Sequence, residues 1–243
     1  SKGVTGALDV LEGPTGVGAA MSGNADWRKA TSGLGKIYNI EAITFKNHGC
    51  CGHTFAAIDG LLFIMQDAQI TANDIANVAI ATYGPAVSIT DRIDPKTPQE
   101  CKFSMQYVLA HAAHYGSVRI EAFEAERMSD PAIQAMLGQI DLSTDPAVDA
   151  EFPARRAAHV TITTKDGRQL THYQPTRKGD PDLPLTDDEL DAKFIELANP
   201  VLGNELTNSL LQKLWQLDEI SLATALDFTV LKGNHTAGKN LPN

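Results

Sequence analysis

Residues 157–175, AAHVTITTKDGRQLTHYQP, decide the fold class. Two β-rich arms flank Lys165-Asp166-Gly167, a turn signal of the Asp-Gly type that closes a two-stranded hairpin. The stretches on either side carry a helical period instead. Upstream, Thr97-Pro98-Gln99-Glu100 opens a helix with Pro early and Glu three residues after Thr, and CKFSMQYVLAHAAHYG continues it to a stop at Gly116. Further helical stretches are expected over 120–127 and from Ser129-Asp130-Pro131 to Leu137. Downstream, Thr186-Asp187-Asp188-Glu189 caps DDELDAKFIELA, whose apolar stripe is Leu190, Phe194 and Leu197. Shorter helices are expected over 206–214 and 221–226, followed by a polar tail.

Towards the N-terminus, a strand is expected over 75–84, IANVAIATYG, after a turn at Thr71 and Asn73-Asp74. The segment 54–68, TFAAIDGLLFIMQDA, is apolar, with Phe55, Ile58, Leu62 and Met65 at helical spacing. Before it, 36–45 leans towards β-structure through Ile37, Ile40 and Ile43. A short apolar segment over 4–11 ends at Gly13-Pro14. The expected fold class is therefore α+β, a mixed α/β unit inserted between helical segments.

Composition narrows the function. The chain has 243 residues, 43% of them hydrophobic, and a formal net charge of -10. That balance argues against a nucleic-acid partner, and it requires any cations that hold an acidic ligand to be gathered locally. No apolar run approaches the roughly 20 residues of a membrane span, so no membrane partner is expected. Three cysteines, two adjacent at Cys50 and Cys51, form no disulfide framework, and a reducing cytoplasmic setting is expected. The chain opens at SKGVTGALDV without an initiator methionine, which fits a fragment as well as a processed protein.

The densest candidate site is Lys46-Asn47-His48-Gly49-Cys50-Cys51-Gly52-His53, between the β-leaning stretch and the apolar helix. A helix N-terminus favours a carboxylate, Lys46 clamps one, and His48 or His53 passes protons near neutral pH. A buried, purely structural role for the loop is the competing reading. Metal binding is not expected, because adjacent cysteines are poor zinc spacing and no C-x-x-C pair exists. Tyr107 and His111 share a helix face and are candidates to orient a carboxylate, against the plainer reading of a half-buried helix face. Arg177-Lys178 is a candidate anion contact, against that of a solvated linker. There is no Walker A, G-x-S-x-G or dinucleotide fingerprint.

Four stretches together resemble the MmgE/PrpD family: GVTGALDVLEGPTGVG, FKNHGCCGHTFAAIDG, KFSMQYVLAHAAHYG and RKGDPDLPLTDDELDAKFIELA. The resemblance runs in order from about residue 3 to 226 and covers the C-terminal half of such proteins. It implies a helical domain with a smaller α/β lid: 1–48 ending the first helical segment, 49–180 the lid, 181–243 the return. It implies a cleft between them holding Lys46 and Tyr107, with either Cys51 or His53 at a position where the family has a histidine. It implies a homodimer without cofactor or metal, acting on a small polycarboxylate. The expected reaction is dehydration of a 2-methylcitrate-like hydroxy acid, with epimerisation, decarboxylation or a catalytically incomplete carboxylate-binding half as alternatives. The expected catalytic residues are therefore Lys46, His48, His53 and Tyr107, and the expected substrate contacts are Lys46, Cys51, Tyr107 and Arg177.

Overall fold

The hairpin forms as its turn requires: β3 (Ala158–Thr164) and β4 (Gln169–Gln174) pair antiparallel around Gly167, whose φ is 87°. In a computed structural model that describes residues 5–219, the sheet is completed by β1 (Ile75–Thr82) and β2 (Ile140–Thr144) in the order β2-β1-β3-β4. β1 pairs antiparallel with β3 and parallel with β2, with Val78 opposite Ile140 and Thr82 opposite Thr144. A parallel partner needs a crossover, and everything between β1 and β2 supplies it. The fold is α+β, as expected.

The chain divides into two compact units, Ser1–Ile43 and Thr44–Asn243. The first holds the short helix α1 (Val17–Met21) and two 3-10 turns, Trp27–Lys29 and Asn39–Ala42. The strand expected over 36–45 is absent. Its isoleucines recur every third residue, not every second, and Ile37 and Ile40 are each 71% exposed with no strand partner. Residues 5–11 likewise form neither helix nor strand.

The second unit carries the core. Helix α2 (Phe55–Asp67) buries Phe55, Ile58, Leu61 and Ile64 and lies across β3 and β4. It comes close at Gly60, where a Cβ would stand 2.8 Å from Cγ2 of Val160. The sheet answers with one face: Val78, Ile80, Val160 and Ile162 are all at most 1% exposed. Helix α3 (Gly84–Thr90) follows β1; α4 (Pro98–Lys102) begins with the expected capping box, Thr97 with Glu100. The single helix expected from there to Gly116 is two. Phe103 leaves helical geometry, and Ser104 caps a new helix, α5 (Met105–Tyr115), by accepting from Tyr107 N at 3.0 Å. Gly116 ends it in the left-handed region.

The helix expected over 120–127 is a 3-10 turn (Ile120–Phe123) and then α6 (Ala125–Met128). After α7 (Pro131–Met136) the chain makes β2 and α8 (Pro146–Ala150). β2, α3 and α8 have no counterpart in the sequence reading. The C-terminal pair is α9 (Asp187–Leu202), capped by Thr186 as expected, and α10 (Asn204–Trp215). The helix expected over 221–226 and the tail lie outside the described residues. No described helix is long and apolar enough to cross a membrane.

One junction fixes where the second unit begins. Phe45 N donates to Gly179 O at 2.8 Å, and Thr44 Oγ1 donates to Asp180 Oδ1 at 2.6 Å. Gly179 has a φ of 100°, and a Cβ there would lie 2.0 Å from Phe45 O, so only glycine fits.

Candidate functional site

The loop 46–53 is pinned at both ends by backbone. Gly49 N donates to Val118 O at 2.8 Å, and Cys51 N donates to Lys102 O at 2.9 Å. Gly52–Thr54 makes one 3-10 turn that runs into α2, and Thr54 Oγ1 returns to Cys51 O at 2.8 Å. Side chains of the loop meet two separate sets of partners, Asp59 for His48 and Tyr83 for His53.

In the first set, His48 is 5% exposed and stands edge-on to Phe55, with ring centroids 5.1 Å apart. Its Nε2 is 3.2 Å from Asp59 Oδ1, and the other Asp59 oxygen accepts from Lys178 N at 2.7 Å. With Nε2–H on the carboxylate, the neutral ring keeps its lone pair on Nδ1, which is buried and has no partner among the described residues. An orphaned buried nitrogen of this kind requires an explanation, such as a role towards a ligand.

Around His48, a cavity of about 200 Å³ is lined by Lys46, Asn47, Arg119, Lys193 and Glu196. Lys193 Nζ donates to Lys46 O, and Arg119 donates to Asn47 O and, at 3.3 Å, to Asn47 Oδ1. Glu196 sits 3.4 Å from Arg119 Nε. Burial first, then the Arg119 charge, lowers the pKa of Lys193. Three cations and one carboxylate therefore surround a small cavity in a chain whose net charge is -10. Arg119 and Lys193 already donate to protein oxygens, so Lys46 is the cation left to meet an anion.

The second set gathers His53, Cys51 and Arg177. His53 Nδ1 is 2.8 Å from the hydroxyl of Tyr83, which stacks on Phe152 at 4.7 Å. Burial, then the charges of Arg156 and Arg177, lowers the His53 pKa, whereas burial pushes the Tyr83 phenol up to about 12. Arg177 is 9% exposed and already engaged, since Nη2 and Nε donate to Asp180 at 2.6 and 2.9 Å. Burial works against the Asp180 carboxylate, but hydrogen bonds from Arg177 and Thr44 outweigh it and hold its pKa below the usual value. Cys51 is half-buried beside this group. Cys50 faces the core, where burial pushes its thiol up to about 12. No cluster of His, Cys, Asp or Glu among the described residues has metal-binding geometry.

Tyr107 joins neither set. It is 0% exposed, and its hydroxyl donates to Ala122 O inside the core. Its neighbour His111 is equally enclosed: Nδ1 is 2.8 Å from Ser117 O, and Nε2 lacks a partner among the described residues. Burial lowers the His111 pKa. A lowered imidazole pKa means that the unfolded chain binds more protons below about pH 6.5, so stability is full above that pH and falls as the pH drops through it. The thermal midpoint is expected to fall between pH 7.5 and 5.5, and to fall less in His111→Gln. Equal pH dependence in the two proteins would refute the enclosed neutral imidazole.

The sequence reading named Lys46, His48, His53, Cys51 and Arg177 but missed Asp59, Tyr83, Arg119, Arg156 and Lys193. Asp59 left a signal, a lone carboxylate inside an apolar helix. Arg119 left none, because 119 and 47 meet only through tertiary packing.

The chain is 26% identical to cis-aconitate decarboxylase of Mus musculus over 174 residues, covering 70% of this chain and 35% of that protein. It is 31% identical to 2-methylcitrate dehydratase of Cupriavidus necator over 105 residues, 41% of this chain and 22% of the relative. A cis-aconitate decarboxylase-like protein of Aspergillus oryzae is 24% identical over 218 residues, 84% of this chain and 42% of its own. The aligned stretches span less than half the length of each relative. Residues 48–217 match the MmgE/PrpD C-terminal domain, which takes in α2 to α10 and all four strands but not α1, and the chain belongs to the MmgE/PrpD family.

Proposed function

We propose that this chain supplies the carboxylate-holding part of an MmgE/PrpD-type lyase, with dehydration of a small hydroxy di- or tricarboxylic acid as its reaction. The observation that carries the reading is the convergence of Lys46, Arg119 and Lys193 on a cavity of about 200 Å³ over an Asp59-backed imidazole. The curated relatives are named for substrates that are themselves polycarboxylates, 2-methylcitrate and cis-aconitate.

The chemistry follows from charge. Removing a proton next to a carboxylate places negative charge on that carboxylate, and fixed cations lower the cost where it develops. Lys46 holds the group; Lys193 positions the Lys46 backbone, and Arg119 that of Asn47. His48, oriented by Asp59, exchanges the proton through Nδ1 once a ligand reaches it. The β-hydroxyl then leaves as water, taking up a proton, and an alkene remains. The scheme needs no metal or cofactor. In the same reading, residues 49–180 form a lid, 181–243 return to a helical domain, and the working protein is a cytoplasmic homodimer.

Product identification tests the reaction. The protein is incubated with 2-methylcitrate and followed by carbon-13 NMR. Dehydration produces an alkene signal. Inversion of configuration without an alkene would replace the reading with epimerisation, and loss of carbon dioxide from cis-aconitate would replace it with decarboxylation.

A further inference from the structure

A second cleft has a volume of about 540 Å³. Arg155, Arg156 and Arg177 line it together with Asp180 and Asp182, and Pro153, Pro175 and Pro181 form rigid walls. The three arginines are not equivalent. Arg177 is spent on Asp180. Arg155 makes only a long, exposed pair with Glu151 at 3.7 Å, worth little in water. Arg156 makes no ion pair among the described residues and stands 6.0 Å from the Phe152 ring centroid.

Two guanidinium groups are therefore open to a ligand, next to a buried guanidinium that is already fixed in place. The charges of Arg156 and Arg177 are felt at His53, which lies beside the stacked Tyr83–Phe152 pair. The cleft is wider than a bare anion needs, and Asp182 offers acceptors to hydroxyl or ammonium groups on a ligand's body, Asp180 being engaged by Arg177 and Thr44. Guanidinium pairs oxyanions through two parallel hydrogen bonds, which suits carboxylate and phosphate alike.

We propose that the Arg155–Arg156 cleft is a second oxyanion-binding site, separate from the Lys46 cavity, that takes a carboxylate- or phosphate-bearing small molecule. It goes beyond the proposed lyase reading, which places the reacting carboxylate at Lys46.

The test uses this chain with two probes, citrate and inorganic phosphate, titrated by calorimetry into the unaltered protein, Arg156→Gln and Lys46→Ala. One probe is expected to bind, with about tenfold weaker affinity in Arg156→Gln, the loss that removal of one charge-assisted contact gives. In the Lys46→Ala background, where the other cavity is disabled, that probe is expected still to bind and Arg156→Gln still to weaken it, while Arg156→Lys recovers part of the affinity. The probe that binds tells carboxylate from phosphate. As a second readout, the His53 ring protons, followed by NMR, are expected to titrate at higher pH with the probe bound, because a bound anion offsets the arginine charge. Absence of heat with both probes overturns the proposal. So does binding lost in Lys46→Ala but kept in Arg156→Gln, an outcome that leaves the Lys46 reading standing. A His53 titration unmoved at saturation also overturns it.

Discussion

Lys46→Ala is expected to lower kcat of the complete enzyme by about 100- to 1,000-fold, the effect of removing one preorganised partner of a developing anion. The side chain is exposed, and its backbone carbonyl, which Lys193 holds, survives the substitution. The thermal midpoint should therefore stay within a degree or two, since exposed substitutions usually change stability by less than about 0.5 kcal/mol. A stable protein with normal turnover would remove Lys46 from the site. His48→Gln is the informative companion. Glutamine can still donate to Asp59 but cannot exchange a proton, so a loss of rate with little change in KM is expected, and an equal rise in KM would indicate a binding role instead.

Phe55→Ala is expected to destabilise the chain by about 3–5 kcal/mol, the usual cost of removing a fully enclosed phenylalanine. Phe55 is 0% exposed at the first turn of α2, so its neighbours have little room to collapse. Against a typical domain stability of about 5–15 kcal/mol, that is a large share. The ring also forms the wall against which His48 stands, so the same substitution should loosen the imidazole. Urea unfolding followed by circular dichroism measures the first effect. A loss below about 1 kcal/mol would mean that the α2 packing described here is wrong.

The parts of this molecule that were legible in sequence are those whose signal is local. The Asp166-Gly167 turn and the capping boxes at Thr97 and Thr186 each sit within a few residues and form where expected; α2 also forms, but Leu61 and Ile64 are its buried residues where Leu62 and Met65 were expected. β2 was not legible because it is an edge strand with only Ile140 fully buried, so IDLST carries no clean alternation. The break between α4 and α5 depends on Ser104 Oγ donating to Arg92 O at 2.6 Å, a contact across a loop. The site divides in the same way. Lys46, His48 and His53 stood out by residue type and crowding. Their partners could not, because Arg119, Lys193 and Arg156 reach the loop from 70 to 150 residues away along the chain, as roughly as a sequence window sees nothing. Tyr107 shows the reverse error: a polar tip at a promising spacing whose hydrogen bond is satisfied by backbone.

The junction of Phe45 with Gly179 has a mechanical consequence. Within the second unit the polypeptide enters and leaves the sheet-bearing block through this clasp, and the Arg119–Glu196 pair ties the block to α9 a second time. Lys46 is the residue after the clasp on one strand, and Arg177 stands two before it on the other. Both anion-facing groups are thereby bolted to the same mount. Whatever loosens the clasp disturbs both at once.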